Sequence, residues 1–394
     1  MRLRPQELEA ATRKWFAGLI AWSASCALGF SSALAQPATA DPIFGDGYEG
    51  FAPARLIVHY PADTHFVSAR GDGGGLSWVQ GVTLARTGDT FTRMIEVAAP
   101  AQWKPLLDDA TAAIGPNYSL APGQTAEIWP HFTTLQGQVI TLIAAFQSTA
   151  LGNSRAIYAY LPPTYIENTD ATFPVVYMHD GQNLWASHPE WSFSGTTWEV
   201  DTAFDNAAND GTIKEAVVIG IANDANRLYE YTPTYDPSVP GGGGADLYLQ
   251  MIVEELKPAV DSMLRTRTDT SSTLMAGSSL GGLVTAYAGY TKPTVFGRIA
   301  ALSPSAYWDS AVIVSDVQTT PAAPNRPLRV YVDSGDTSAD DVTDVNALAA
   351  AYVTVGYFEG TDLLHIVQAG GQHNETYWAQ RFPGAMQFVL GPRD

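Results

Sequence analysis

The chain has 394 residues, 46% of them hydrophobic and 15% charged, a globular composition long enough for two domains and unlike that of disordered or fibrous chains. Lys and Arg number 21 against 40 Asp and Glu, a formal charge of −19, so the basic footprint of a nucleic-acid binder is missing. A single cysteine, Cys26, excludes a disulfide framework and a cysteine-rich metal centre.

Arg2, Arg4, Arg13 and Lys14 make a basic start, residues 15–34 are apolar and small, and Ala33-Leu34-Ala35 offers a cleavage site before Gln36. A membrane anchor would use the same apolar run, but the Ser-rich interior and the A-x-A site favour a secretory signal peptide over residues 1–35. The mature protein is then expected to be secreted or periplasmic, without cysteine and without a membrane attachment, since no later stretch has the length and uniform apolarity of a spanning helix.

Residues 41–135 predict a small all-β unit. Runs of β-formers such as Ala54–Tyr60 and Thr90–Val97 are separated by Gly71-Asp72-Gly73-Gly74-Gly75 and Thr87-Gly88-Asp89, the rhythm of short strands and Gly-rich turns in a sandwich. Trp78 and Trp103 suit two roles there, stacking on sugar rings or filling the core. From residue 136 to 394 the rhythm changes. Apolar runs at Phe173–Met178, Ala216–Ile221, Thr273–Ala276 and Pro327–Val332 alternate with helical patterns, among them Leu247–Leu264 with Leu249, Ile252, Val253, Leu256 and Val260 on one side. Near-continuous hydrophobic strands between helices predict an α/β fold with a mostly parallel sheet covered on both faces, whose ligand site lies beyond the carboxyl ends of the strands.

Gly277-Ser278-Ser279-Leu280-Gly281 matches G-x-S-x-G directly after an apolar strand and before a helix-compatible run. The glycines permit the sharp turn that exposes a nucleophilic serine, here Ser279, at a helix N-terminus. A serine hydroxyl needs a base, and only His365 and His373 follow it. His365 sits inside the strand-like Leu363–Val367, whereas His373 sits in the loop after it, so His373 is the candidate base by elimination. The carboxylate that orients the base should follow the Pro327–Val332 strand, in Asp333-Ser334-Gly335-Asp336-Thr337-Ser338-Ala339-Asp340-Asp341. Asp336 can instead cap the loop and Asp341 the next helix; Asp340 is favoured, with Asp336 next. Leu280, the residue after the nucleophile, supplies one backbone N–H for the oxyanion, and the second is expected from the Tyr177–Asn183 segment. His179 and Asp180 in that segment lack the spacing of a zinc site.

The chain from about 136 onward resembles the esterase D family of α/β-hydrolases, which includes feruloyl, acetyl-xylan and enterochelin esterases. The resemblance rests on His179-Asp180-Gly181-Gln182-Asn183, Glu230-Tyr231-Thr232-Pro233, Glu254–Pro258, the Ser279 turn, Ser303-Pro304-Ser305 with Trp308, and His373 with Trp378 and Arg381. It implies Ser279 as nucleophile, His373 as base and Gln182, the residue after the glycine, as the second oxyanion donor. Arg227 and Glu230 also resemble a pair found near the pocket of the family, with a structural ion pair as the favoured role. Family members usually carry the acid three or four residues after the loop glycine, where this chain has Ser338 and Ala339; one or two extra residues restore Asp340. The segment before it, with Trp103–Asp109, Gly115-Pro116-Asn117-Tyr118 and Ala121-Pro122-Gly123, loosely resembles the glycogen- and starch-binding type of immunoglobulin-like sandwich. The expected protein is thus a secreted serine carboxylesterase that needs no cofactor or metal and acts on a small-molecule or polysaccharide ester, first a carbohydrate-linked feruloyl or acetyl ester. A siderophore lactone, acyl transfer to an alcohol, and a catalytically silent carbohydrate-binding role are the alternatives.

Overall fold

The computed structural model describes residues 52–393 apart from 240, 320–325, 327, 328 and 339; the expected leader, with Cys26 and Ala33-Leu34-Ala35, lies outside the described residues. Two sheets occupy its first part. Ala85–Thr87, Thr90–Val97, Ala52–His59 and Thr125–Ile128 lie side by side in one, and Val82–Thr83, Val67–Gly71, Ala101–Leu107 and Thr111–Ala112 in the other, where Tyr118–Leu120 also pairs with Ala101–Leu107. Apolar side chains of both sheets, including Leu56, Val58, Phe91 and Leu107, share one core. Trp103 is fully buried in that core against Tyr118, so it offers no face to a sugar; Trp78 is 42% exposed.

The large sheet has eight strands: β1 (Gln138–Gln147), β2 (Ser154–Leu161), β3 (Val175–His179), β4 (Val217–Ile221), β5 (Thr273–Ser279), β6 (Arg298–Pro304), β7 (Arg329–Gly335) and β8 (Leu363–Gln368). Their order is β1-β2-β4-β3-β5-β6-β7-β8, antiparallel from β1 to β4 and parallel from β4 to β8. The α/β fold with a mostly parallel sheet expected from the alternating pattern is present.

Side-chain alternation divides the core between the two faces. Val175 and Tyr177 of β3 pack on one side with helices α2 (Leu280–Thr291) and α3 (Val342–Thr354), while Val176 and Met178 pack on the other with α1 (Val200–Asp210) and α4 (Glu375–Leu390). The apolar stripe at Leu249, Ile252, Leu256 and Val260 is fully buried on the first side, in a helical run made of Ala245–Gln250, a π-helical turn Met251–Leu256 and Lys257–Met263. Pro258 has no N–H to give the carbonyl of Glu254, and the wider i→i+5 turn sits where that bond is lost.

Hydrogen bonds cross the seam between the small sheets and the large one. Asn168 Nδ2 donates to the carbonyls of His59 and Pro130, at 2.8 and 2.9 Å. Glu167 accepts from the backbone N–H groups of Phe132, Thr133 and Thr134, and burial alone would raise its pKa; those hydrogen bonds outweigh it and bring the carboxyl down to about 2. A group depressed in the folded state stabilises above its ordinary pKa and ceases to do so as pH falls through its folded one. Glu167→Gln is therefore expected to lower the thermal unfolding midpoint at pH 7, with the gap from wild type narrowing as pH falls from 4.5 towards 2, as read by calorimetry.

Candidate active site

The carboxyl ends of β3, β5, β6, β7 and β8 meet at one edge of the sheet because their parallel register leaves no other place for the chain to turn. At the end of β5, Ser279 has φ 57° and ψ −127°, a left-handed conformation costly for a residue with a Cβ, and α2 begins at the next residue. Gly277 is a steric requirement, since a Cβ there would stand 2.7 Å from His179 Cδ2 and 2.9 Å from the Gly281 backbone, and a Cβ at Gly281 would stand 3.2 Å from His179 Cβ. Ser279 Oγ lies 3.5 Å from Ser305 Oγ, and the Ser305 N–H donates to the Ser279 carbonyl at 2.9 Å.

His373 stands between β8 and α4, part-exposed, with Nδ1 at 3.0 Å from Asp340 Oδ1 and its ring edge-on to Trp378, centroids 5.1 Å apart. Asp340 itself is buried. Its Oδ2 accepts from Ser303 Oγ at 2.7 Å and from the Gly335 N–H at 2.6 Å. Burial favours the neutral acid, but the hydrogen bonds from His373, Ser303 and Gly335, joined by attraction to His373, hold the carboxyl below its ordinary range. The neighbouring carboxylates have other partners. Asp336 is exposed and accepts from the Gly370 N–H at 2.7 Å, while Asp341 caps α3 through the Asp344 N–H. His365 lies on β8 in register with Val332, its N–H given to Glu359, and burial pulls its imidazole pKa down.

Gln182 lies in a single 3-10 turn, Gly181–Asn183, that leaves β3. Strands β3 and β5 are neighbours with Met178 opposite Ala276, so Gln182 and Leu280, each four residues further on, open the two turns at adjacent strand ends. The Gln182 side chain accepts from the Asn223 N–H at 3.2 Å, which orients this turn. Beneath the turns His179 is fully buried, its Nδ1 at 2.9 Å from the Tyr248 hydroxyl, and burial brings its pKa down to about 3, which keeps the ring neutral.

One pairing implied by the sequence is different in the structure. Arg227 binds Asp180 in a two-pronged contact of 2.7 and 2.8 Å, and Glu230 is held by Arg155 at 2.7 and 2.8 Å, so Arg227 and Glu230 serve two separate ion pairs. The resemblance implied a pair, but the helix is a single turn, Arg227–Glu230, and its two ends face different buried partners. Sequence reasoning named Ser303 only within a family motif and Asp333 only as the first residue of the acid loop, without a role in the site for either. Their signal was a polar group at the carboxyl end of each of two otherwise apolar strands.

The sequence profile of the family described as "Putative esterase" matches residues 148–389, more than half of the chain. The chain belongs to this esterase family. Among curated proteins it is 26% identical over 251 residues to the uncharacterized protein YbbA of Bacillus subtilis, covering 60% of this chain and 93% of that one. It is 29% identical over 174 residues to a siderophore enterobactin esterase of Emericella nidulans, covering 40% and 55%. Over 169 residues it is 27% identical to an endo-1,4-beta-xylanase/feruloyl esterase of Xylanibacter ruminicola, covering 41% and 21%. Among solved structures, the ferric enterobactin esterase of Salmonella typhimurium superposes with a TM-score of 0.50 at 19% identity, over 82% of this chain and 88% of that one. That likeness concerns the α/β-hydrolase fold, and its extent exceeds the family region. The esterase is a hydrolase of carboxylic esters, and among its described residues no helix is long and apolar enough to cross a membrane.

The geometry separates two carboxylates of one loop. Asp340→Asn is expected to lower turnover by orders of magnitude, up to about 10⁴-fold, because the amide stabilises the wrong imidazole tautomer. Asp336→Asn is expected to stay near wild type; kcat for both at pH 7 and above, with circular dichroism as a fold control, checks the pair.

Proposed function

We propose that the esterase is a secreted serine carboxylesterase whose nucleophile is Ser279, whose general base is His373 and whose orienting carboxylate is Asp340, with the backbone N–H groups of Leu280 and Gln182 receiving the oxyanion. The observation that carries this reading is the 3.0 Å contact of His373 Nδ1 with Asp340, at the same sheet edge as the left-handed Ser279. With Nδ1–H given to Asp340, Nε2 is the free base of the imidazole. It takes the Ser279 proton as Oγ bonds to the ester carbonyl carbon, and returns it to the leaving alcohol when the tetrahedral intermediate collapses. Water then attacks the acyl-enzyme with its proton going to Nε2, which passes it to Ser279 Oγ as the second tetrahedral intermediate collapses, releasing the acid and restoring the Ser279 hydroxyl and the neutral imidazole. Ser279 Oγ must turn from Ser305 towards His373 for the first step, a tightening expected on substrate binding.

Export through the 1–35 leader, a sandwich at 41–135 and a hydrolase domain at 136–394 make a carbohydrate-linked ester, feruloyl or acetyl, the first substrate, and the relative named as a xylanase/feruloyl esterase supports it. A siderophore lactone is the second reading, supported by the relatives named as siderophore esterases. A panel of p-nitrophenyl acyl esters, methyl ferulate, acetylated xylan and a siderophore lactone separates the two by kcat/KM. Ser279→Ala is expected to abolish hydrolysis and fluorophosphonate labelling while leaving the circular dichroism spectrum unchanged; residual turnover near wild type would overturn the serine mechanism.

A further inference from the structure

Behind Asp340 lies a chain of buried polar groups, whose charges carry a desolvation cost that apolar residues do not. Arg381 of α4, 6% exposed, donates through Nη2 to Ser303 Oγ at 2.7 Å and through Nη1 to Gln368 Oε1 at 2.7 Å. Its Nε is 2.9 Å from Asp333 Oδ2, near enough for strong attraction although not aligned as a hydrogen bond. Asp333, fully buried at the end of β7, also accepts from the Ser303 N–H at 2.9 Å and from the Tyr331 hydroxyl at 2.8 Å. Ser303 is thus gripped at both its backbone and its side chain, and it needs to be, because it holds a left-handed φ of 39°.

The direction of the protons follows from the donor inventory. A guanidinium has donors only, so Ser303 Oγ accepts from Arg381 and its single proton is left for Asp340 Oδ2. Asp340 Oδ1 is thereby free for His373 alone. We infer that Ser303, set by Arg381 and Asp333, is a positioning residue that fixes the orientation and basicity of Asp340 and through it those of His373. This rests on the triad proposed above. The groups that face Asp340 are His373, Ser303, the Gly335 N–H and, at 3.9 Å, the Arg381 guanidinium.

Removing the Ser303 hydroxyl takes one donor from the carboxylate and leaves its charge less dispersed. Asp340 becomes the more basic, the imidazolium of His373 is stabilised, and the acid limb of kcat/KM moves to higher pH. Ser303→Ala is expected to lower kcat by up to about 100-fold with KM little changed, as a misdirected base does, and to displace the downfield proton resonance of His373 Nδ1–H. In an Asp340→Asn background the same change is expected to cost less than about twofold, because groups acting through one another are not additive. Wild-type kcat and an unmoved acid limb in folded Ser303→Ala would overturn the inference, as would a full, additive loss in the Asp340→Asn background. Should Ser303→Ala fail to fold, Arg381→Lys keeps the buried charge beside Asp333 but lacks the planar fork, and it must shift the limb in the same direction; an unchanged profile there also overturns the inference. The two proposals fail separately: an active Ser279→Ala removes the serine mechanism, whereas an inert Ser303→Ala beside inactive Ser279→Ala and Asp340→Asn removes only the role of Ser303.

Discussion

Parallel hydrogen bonding from β4 to β8 governs the rest of the molecule, because strands that run the same way must all turn at the same edge. The turn after β3 carries Gln182, the turn after β5 carries Ser279 and Leu280, the loop after β7 carries Asp340 and the loop after β8 carries His373. Ser279 and His373 are separated by more than ninety residues of sequence, yet each is the product of a strand that stops at one line. Neighbouring strand spacing of about 4.8 Å is what brings side chains of such loops within reach of one another.

That edge is built from strained backbone and buried charge, both of which persist only under strong local constraint. Ser279, Ser303 and Asp180 all have positive φ without being glycine, and each lies at or just after a strand end. Each is also pinned. Asp180 is clasped by Arg227 and Asn223, Ser303 by Asp333 and Arg381, and Ser279 by the backbone of Ser305 and the glycines that let His179 press against the turn. Two buried carboxylates at this edge are balanced by guanidinium groups, Asp180 by Arg227 and Asp333 by Arg381.

Hydrogen bonds tie the small sheets to this frame. Glu167 and Asn168, at the end of the short helix Pro163–Glu167, reach back to the carbonyls and N–H groups of the preceding segment. Hydrogen bonds of this kind fix orientation by geometry, since a lost partner leaves a buried donor or acceptor unmatched.

The fold class was legible in near-continuous apolar strands alternating with helical stripes, and so was the order of the candidate groups: a serine at a glycine-flanked strand end, acidic residues in a later loop, and histidine last. These are local properties, readable because hydrophobic period and glycine spacing act within a few residues. Tertiary structure alone decided which carboxylate of one nine-residue stretch faces His373, since Asp336, Asp340 and Asp341 differ only in where a turn points them. It also decided that Trp103 fills a core, that Arg227 turns to Asp180 rather than to Glu230, and that Ser303 stands behind Asp340. Ser303 was named from the sequence only within a motif and not as the end of a strand, because its partners in β7 and α4 are joined to β6 by sheet register and tertiary packing, which no window of sequence contains.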